Sequence, residues 1–207
     1  MTTHLFRLSL TGCLLFSGCG SSSVTLTDSA AGTTAGDDDD DDDDDVTNDT
    51  DETDTDTTPQ PTGCESGPLP DPIPGCAPPV AALSGDFGQD CVDRINQFRW
   101  VCQCLPPLAR WNDAESCTDQ QSADDQASGI AHDNFGACGE NAQNTCPNWG
   151  SEGQIIDSCL QMMWDEGPGE PFAEHGHYIN MSSLSYSKVA CGRSSNGGVW
   201  SNQNFKP

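Results

Sequence analysis

Positive charge is scarce in this 207-residue chain: 7 Lys and Arg stand against 33 Asp and Glu, a formal net charge of −26. Displacing counterions from nucleic acid requires clustered bases, and Arg94, Arg99, Arg110, Lys188, Arg193 and Lys206 are scattered singly, which excludes nucleic acid as the partner. Long apolar runs are also missing. The one near the start, "LSLTGCLLF", is too short to span a bilayer. No internal repeat is visible, and there is no serine elbow or other nucleophile motif. Aromatic residues are absent from positions 20 to 63, and that stretch has little else to bury. We expect residues 19–62 to form a disordered acidic tether, reaching about 40 Å as a flexible coil and further through self-repulsion. The run Asp37 to Asp45 lacks the glycine and spaced ligands of a defined calcium loop.

What the chain does have is cysteine, 12 in all, which points to an oxidising compartment. Arg7 followed by a short apolar run reads as a signal peptide over residues 1–18. Its end, "LLFSGC", resembles the lipobox of bacterial lipoproteins, with Cys19 the lipidated residue and new N-terminus. Several acyl chains on one residue would anchor the protein stably. The membrane is then a partner through that anchor, and the domain is periplasmic or at the cell surface. Of the acidic residues, 15 lie between Asp28 and Asp56, so the 18 that remain leave the folded part acidic as well.

Residues 63–87 form a proline-rich lead-in with a cysteine at each end of "CESGPLPDPIPGC". The ten cysteines from Cys64 onward predict five disulfides. Pairs Cys64–Cys76 and Cys138–Cys146 are expected because each closes a short loop rich in turn residues, while Cys91, Cys102, Cys104, Cys117, Cys159 and Cys191 are left without assigned partners. Val92, Ile95, Phe98 and Val101 recur at steps of three and predict a first helix ending before "LPP". A second helix starts at an Asn112 or Asp113 cap and runs to Gly129, with only a thin apolar stripe. A third is predicted in "SEGQIIDSCLQMMWDE", with Ile155, Ile156, Cys159, Met162 and Met163 on one face. After Gly176 the pattern reads as extended, and "KVACGRSSNGGVWSNQNF" as two strands joined at "SSNGG". Helices first and strands last imply an α+β layered domain.

Five short segments in order carry a family resemblance: "INQFR" at Ile95, "LPPLARW" at Leu105, "GEN" at Gly139, "MWDE" at Met163 and "GHYINM" at Gly176. Together they resemble the CAP superfamily of cysteine-rich secretory, antigen five and pathogenesis-related proteins, in an SCP-like domain over residues 88–207. The resemblance implies an α-β-α sandwich with a central antiparallel sheet, and secretion. It also implies a cavity built on two histidines and two glutamates, which fall here on His132, Glu140, Glu166 and His177. Neutral imidazoles bind zinc-like ions, and neighbouring carboxylates can ligate or orient them. Each has a plainer reading. Glu140 and Glu166 would serve equally to cap helix ends or bind loop amides, and His132 would suit a helix C-terminus. His175 beside Glu174 is expected to be solvated, a spare ligand. Trp164, Tyr178 and Trp200 are expected in the core or the cavity wall. The chain departs from the family at Ile179 and Asn180 (usually Thr and Gln), Ser183 (Trp) and Ser201 (Cys), and at Gln121, Asp124 and Asp125, where small apolar residues are usual. The expected function is a non-catalytic, membrane-anchored, disulfide-rich extracytoplasmic module whose cavity binds a divalent metal, a lipid or a protein. The alternative is a metal-dependent hydrolase in which His132 or His177 activates water and a glutamate serves as acid or base.

Overall fold

The computed structural model describes residues 64–207; the expected signal peptide, the lipidation site Cys19 and the acidic tether lie outside the described residues. The domain opens with α1 (Phe87–Gln97), continued by a π-helical turn at Phe98–Cys102. Asp86 caps α1, accepting from the Gln89 amide at 3.3 Å. A two-residue strand β1 (Ala109–Arg110) precedes α2 (Asn112–Ser128), which ends at Gly129 in the left-handed region. Strand β2 (Ala142–Trp149) leads into α3 (Glu152–Gln154), a second π-helical turn at Ile155–Cys159, and α4 (Leu160–Asp165). Helix α5 (Phe172–Ser182) and strands β3 (Lys188–Ser195) and β4 (Val199–Lys206) complete the chain.

The sheet order is β1-β3-β4-β2. Its pairings are antiparallel, as expected, except at the edge, where β1 runs parallel to β3. Helices cover both faces, giving the expected α-β-α sandwich. On one face Val189, Cys191, Phe205, Ala142 and Cys146 join the apolar core with Ile95, Phe98, Ile155 and Leu160. On the other lies α2, close enough at Gly192 that a Cβ there would overlap the Thr118–Asp119 backbone.

The strands β3 and β4 and the second helix lie where the sequence places them. Trp164, Tyr178 and Trp200 are all buried, as expected. Three expectations are corrected. The region after Gly176 is helical, because Tyr178 and Met181 share one buried face and the Phe172 ring packs against Gly176, its edge 3.0 Å from where a Cβ would sit, so packing overrides the poor helix propensity of glycine. The third helix is three pieces, and its π turn shifts the register so that Met162 faces solvent while Leu160, Met163 and Trp164 turn inward. The first π turn does the same at Val101, which is only half-buried while Cys102 is fully buried.

Five disulfides form, with different partners from those proposed. Cys64 pairs with Cys104 and Cys76 with Cys102, not with each other. The lead-in lies along the end of the first helical segment, where the Leu69 and Ile73 amides donate to the Gln103 and Cys102 carbonyls at 2.9 and 2.8 Å. Cys138 bridges to Cys117 of α2, and Cys146 to Cys159. The expected Cys138–Cys146 bond is excluded by the pleat: Cys146 points into the apolar core, whereas Cys138 is tied to α2 on the opposite face. Cys91–Cys191 ties α1 to β3.

Candidate functional site

Glu166 caps the C-terminus of α4, and its carboxylate reaches across to α5. One oxygen meets His177 Nδ1 at 2.5 Å; the other accepts from the His177 and Tyr178 amides at 3.0 and 3.4 Å. The two side chains are 38% and 23% exposed, so the pair sits at the surface and not in the core. With Nδ1 held by a carboxylate, Nε2 of His177 has no protein partner among the described residues, and its lone pair faces no competing donor.

Two contacts fix the position of α5. On β2, Asn144 donates to the His177 carbonyl at 3.1 Å and accepts from Asn180 at 2.9 Å. At the end of α5, fully buried Arg99 donates to the Met181 and Ser183 carbonyls at 2.6 and 3.0 Å and to Pro106 O at 2.9 Å. Burial pushes the Arg99 guanidinium down to about 10, which leaves it cationic at neutral pH. A cation is favoured at a helix C-terminus. Asn180, through its bond to Asn144, is part of this anchor.

His175 is not solvated beside Glu174 as expected. It is half-buried, with Nδ1 2.7 and 3.0 Å from the Glu166 and Gly167 carbonyls, and so it fastens the loop that carries Glu166.

His132 lies after α2 in the left-handed region, φ 65°, and is exposed. Its Nδ1 is 2.8 Å from Gln143 Oε1 and 3.3 Å from Thr145 Oγ1, both on β2. Glu140 is buried, and its carboxylate accepts from Gln121 Nε2 at 2.7 Å and from the Gly136 and Cys138 amides at 2.6 and 3.0 Å. The plainer reading of Glu140, as a holder of loop amides, is therefore its observed role.

Two of the four candidates, Glu166 and His177, are in direct contact. The other two are linked only through Gln121 and Gln143, and among the described residues no hydrogen bond joins the two pairs. Gln143 faces α2 and Asn144 faces α5, so the two histidines are anchored to neighbouring residues on opposite faces of one strand. Among the described residues no group of three or more His, Cys, Asp and Glu side chains could hold a metal ion. Both glutamates already have their oxygens engaged. The donors therefore do not fit a closed four-ligand site, and no contact among the described residues brings the two imidazoles together. Sequence reasoning missed Gln121, Gln143, Asn144 and Arg99 as site residues. The one signal available was the thin apolar stripe of the second helix, which carries polar residues at Gln121, Asp124 and Asp125.

No family model matches the chain, and no curated protein matches it. Among solved structures it is similar to one described as "Structure of BmVAL-1", at 16% identity and a TM-score of 0.45, over 65% of this chain and 81% of that one.

Proposed function

We propose that this is a CAP-type, extracytoplasmic binding module in which His177, held by Glu166, offers Nε2 to a zinc-like ion or to a polar group of a ligand. The observation that carries the reading is the 2.5 Å contact between a surface imidazole and an otherwise amide-bound carboxylate. Carboxylate-backed imidazoles are the usual form of a histidine that ligates a metal, since the acid fixes the ring and raises its basicity. When bound, an ion would supply an electrophilic centre with positions open to water or ligand. His132 is the second imidazole, Glu166 the orienting group, and Glu140 supports the His132 loop through Gln121. The five disulfides support an oxidising compartment. Attachment to the membrane at Cys19 rests on the "LLFSGC" motif.

Calorimetric zinc titration of the parent, His132→Ala, His175→Ala and His177→Ala proteins at about pH 7.5 and about pH 5.5 tests the reading. His177→Ala should cost the most affinity and His175→Ala the least, and the parent should bind more weakly at the lower pH, where protons compete for the imidazoles. Equal affinities in all four, or no dependence on pH, overturn it. Metal-dependent turnover of a peptide, ester or glycan substrate, abolished in Glu166→Gln, would replace binding by hydrolysis.

A further inference from the structure

We infer that a relay of buried amides, starting from Glu140 and Asp125, fixes His132 as its Nδ1–H tautomer, so that Gln121, Gln143 and Thr145 are positioning residues for that imidazole. Two chains of hydrogen bonds lead to the ring, and each begins at a carboxylate, which when ionised can only accept.

In the first, Glu140 Oε1 and the Asn134 carbonyl both receive Gln121 Nε2, at 2.7 and 2.8 Å, which settles which end of that amide is nitrogen. Gln121 Oε1 must then accept, and it receives Gln143 Nε2 at 3.2 Å and Asn204 Nδ2 at 2.6 Å. Gln143 Nε2 also donates to Asn204 Oδ1 at 2.8 Å. With both donors of Gln143 directed there, the atom 2.8 Å from His132 Nδ1 is an acceptor oxygen.

In the second, Asp125 Oδ2 receives Asn202 Nδ2 at 2.9 Å, so Asn202 Oδ1 accepts the Thr145 hydroxyl at 2.8 Å. The Thr145 proton is used there, and its oxygen can only accept from His132 Nδ1 at 3.3 Å. Asp125 also receives the His132 and Asp133 amides at 3.1 and 3.0 Å, which holds the residue in its left-handed conformation.

Both chains require a hydrogen on Nδ1. In the neutral ring Nε2 is then an electron-pair donor, as Glu166 independently arranges for His177. Gln121 and Asp125, two of the three α2 positions that the resemblance leads us to expect small and apolar, are the first links from the helix to the ring. What Nε2 is used for rests on the binding reading above; the tautomer does not.

The test is ¹⁵N–¹H correlation of the histidine rings in the whole chain, metal-free, at about pH 8, where imidazoles are neutral. His132→Ala assigns the signal. The parent should show His132 protonated at Nδ1. Gln143→Met with Thr145→Val, which removes both acceptors, should shift the population toward Nε2–H, while Thr145→Ser should leave it unchanged. A parent ring protonated at Nε2, or a double variant with the parental tautomer, overturns the inference. The parent spectrum decides the first point even where the double variant does not fold. Zinc titration of the same samples separates the two claims: absence of zinc binding with an Nδ1–H ring removes the metal from the binding reading and upholds the relay, whereas a relay that feeds a metal site should lose affinity about tenfold in the double variant.

Discussion

On the α1 face of the sheet Val189, Cys191 and Phe205 meet apolar helices; one residue along the same strands, Ala190, Asn202 and Asn204 turn to α2 and its Thr118, Gln121, Ser122 and Asp125. Both faces are buried. Apolar contact has no preferred direction and stabilises in proportion to the area removed from water. Hydrogen-bonded amides gain less in net terms, but they fix the position and orientation of every group they join. The α1 face therefore holds the domain together, and the α2 face holds parts of it in place.

The comparison breaks most readily at its apolar side. Phe205→Ala empties a fully buried site and should lower stability by about 3–5 kcal/mol, read from the denaturant midpoint. On the polar side, Asn204→Leu leaves Gln121 Oε1, Gln143 Nε2 and Thr118 Oγ1 each short of a partner and should cost about 1–3 kcal/mol in the same assay. A loss on the polar side as large as that of Phe205→Ala would mean that both faces serve stability alike.

The smallest effect lies at the outer edge. Arg110 bridges Asp86 and Glu115 at 2.7 and 2.6 Å, and its side-chain hydrogen bond to Asp86, helped by the Gln89 amide, holds that carboxyl below the usual carboxylate range. A depressed folded value means that the contribution is present above about pH 4 and is lost as pH falls through the lower folded value. Asp86 is half exposed, so the amount is at most about 1 kcal/mol. Arg110→Gln should remove it, seen as a flatter acid limb in a plot of melting temperature against pH.

The apolar face was legible in the sequence. Val92, Ile95 and Phe98, and later Ile155, Ile156 and Met163, recur at helical spacing because they meet other apolar groups. The α2 face was not, because a buried interface of amides has no apolar period. This is why the second helix shows only a thin stripe, and why "AQNTCPNW" gave no sign of being β2. Val101 and Met162 were misplaced where π turns insert a residue into the helical count. The segment after Gly176 reads as extended in the sequence, whereas the Phe172 ring packed against Gly176 belongs to one helix with it. Disulfide partners depend on which face a cysteine reaches: the loop residue Cys138 reaches α2, whereas Cys146 on β2 points into the apolar core. Of the site, the short segments that carry the resemblance supplied the four charged or titratable groups, while the neutral residues that orient them carry no motif.

If His177 is held to present Nε2 and is not there to pack, disturbing its carboxylate partner should cost affinity before it costs stability. Zinc titration of Glu166→Gln beside a thermal melt tests this, since the substitution keeps an oxygen for the α5 amides but sets an amide donor opposite Nδ1, removing both the charge and the acceptor that hold the ring as its Nδ1–H tautomer. A loss of zinc affinity of at least about tenfold is expected, with a melting temperature changed by no more than about 4 °C. Unchanged affinity, or a loss that appears only together with unfolding, would contradict it.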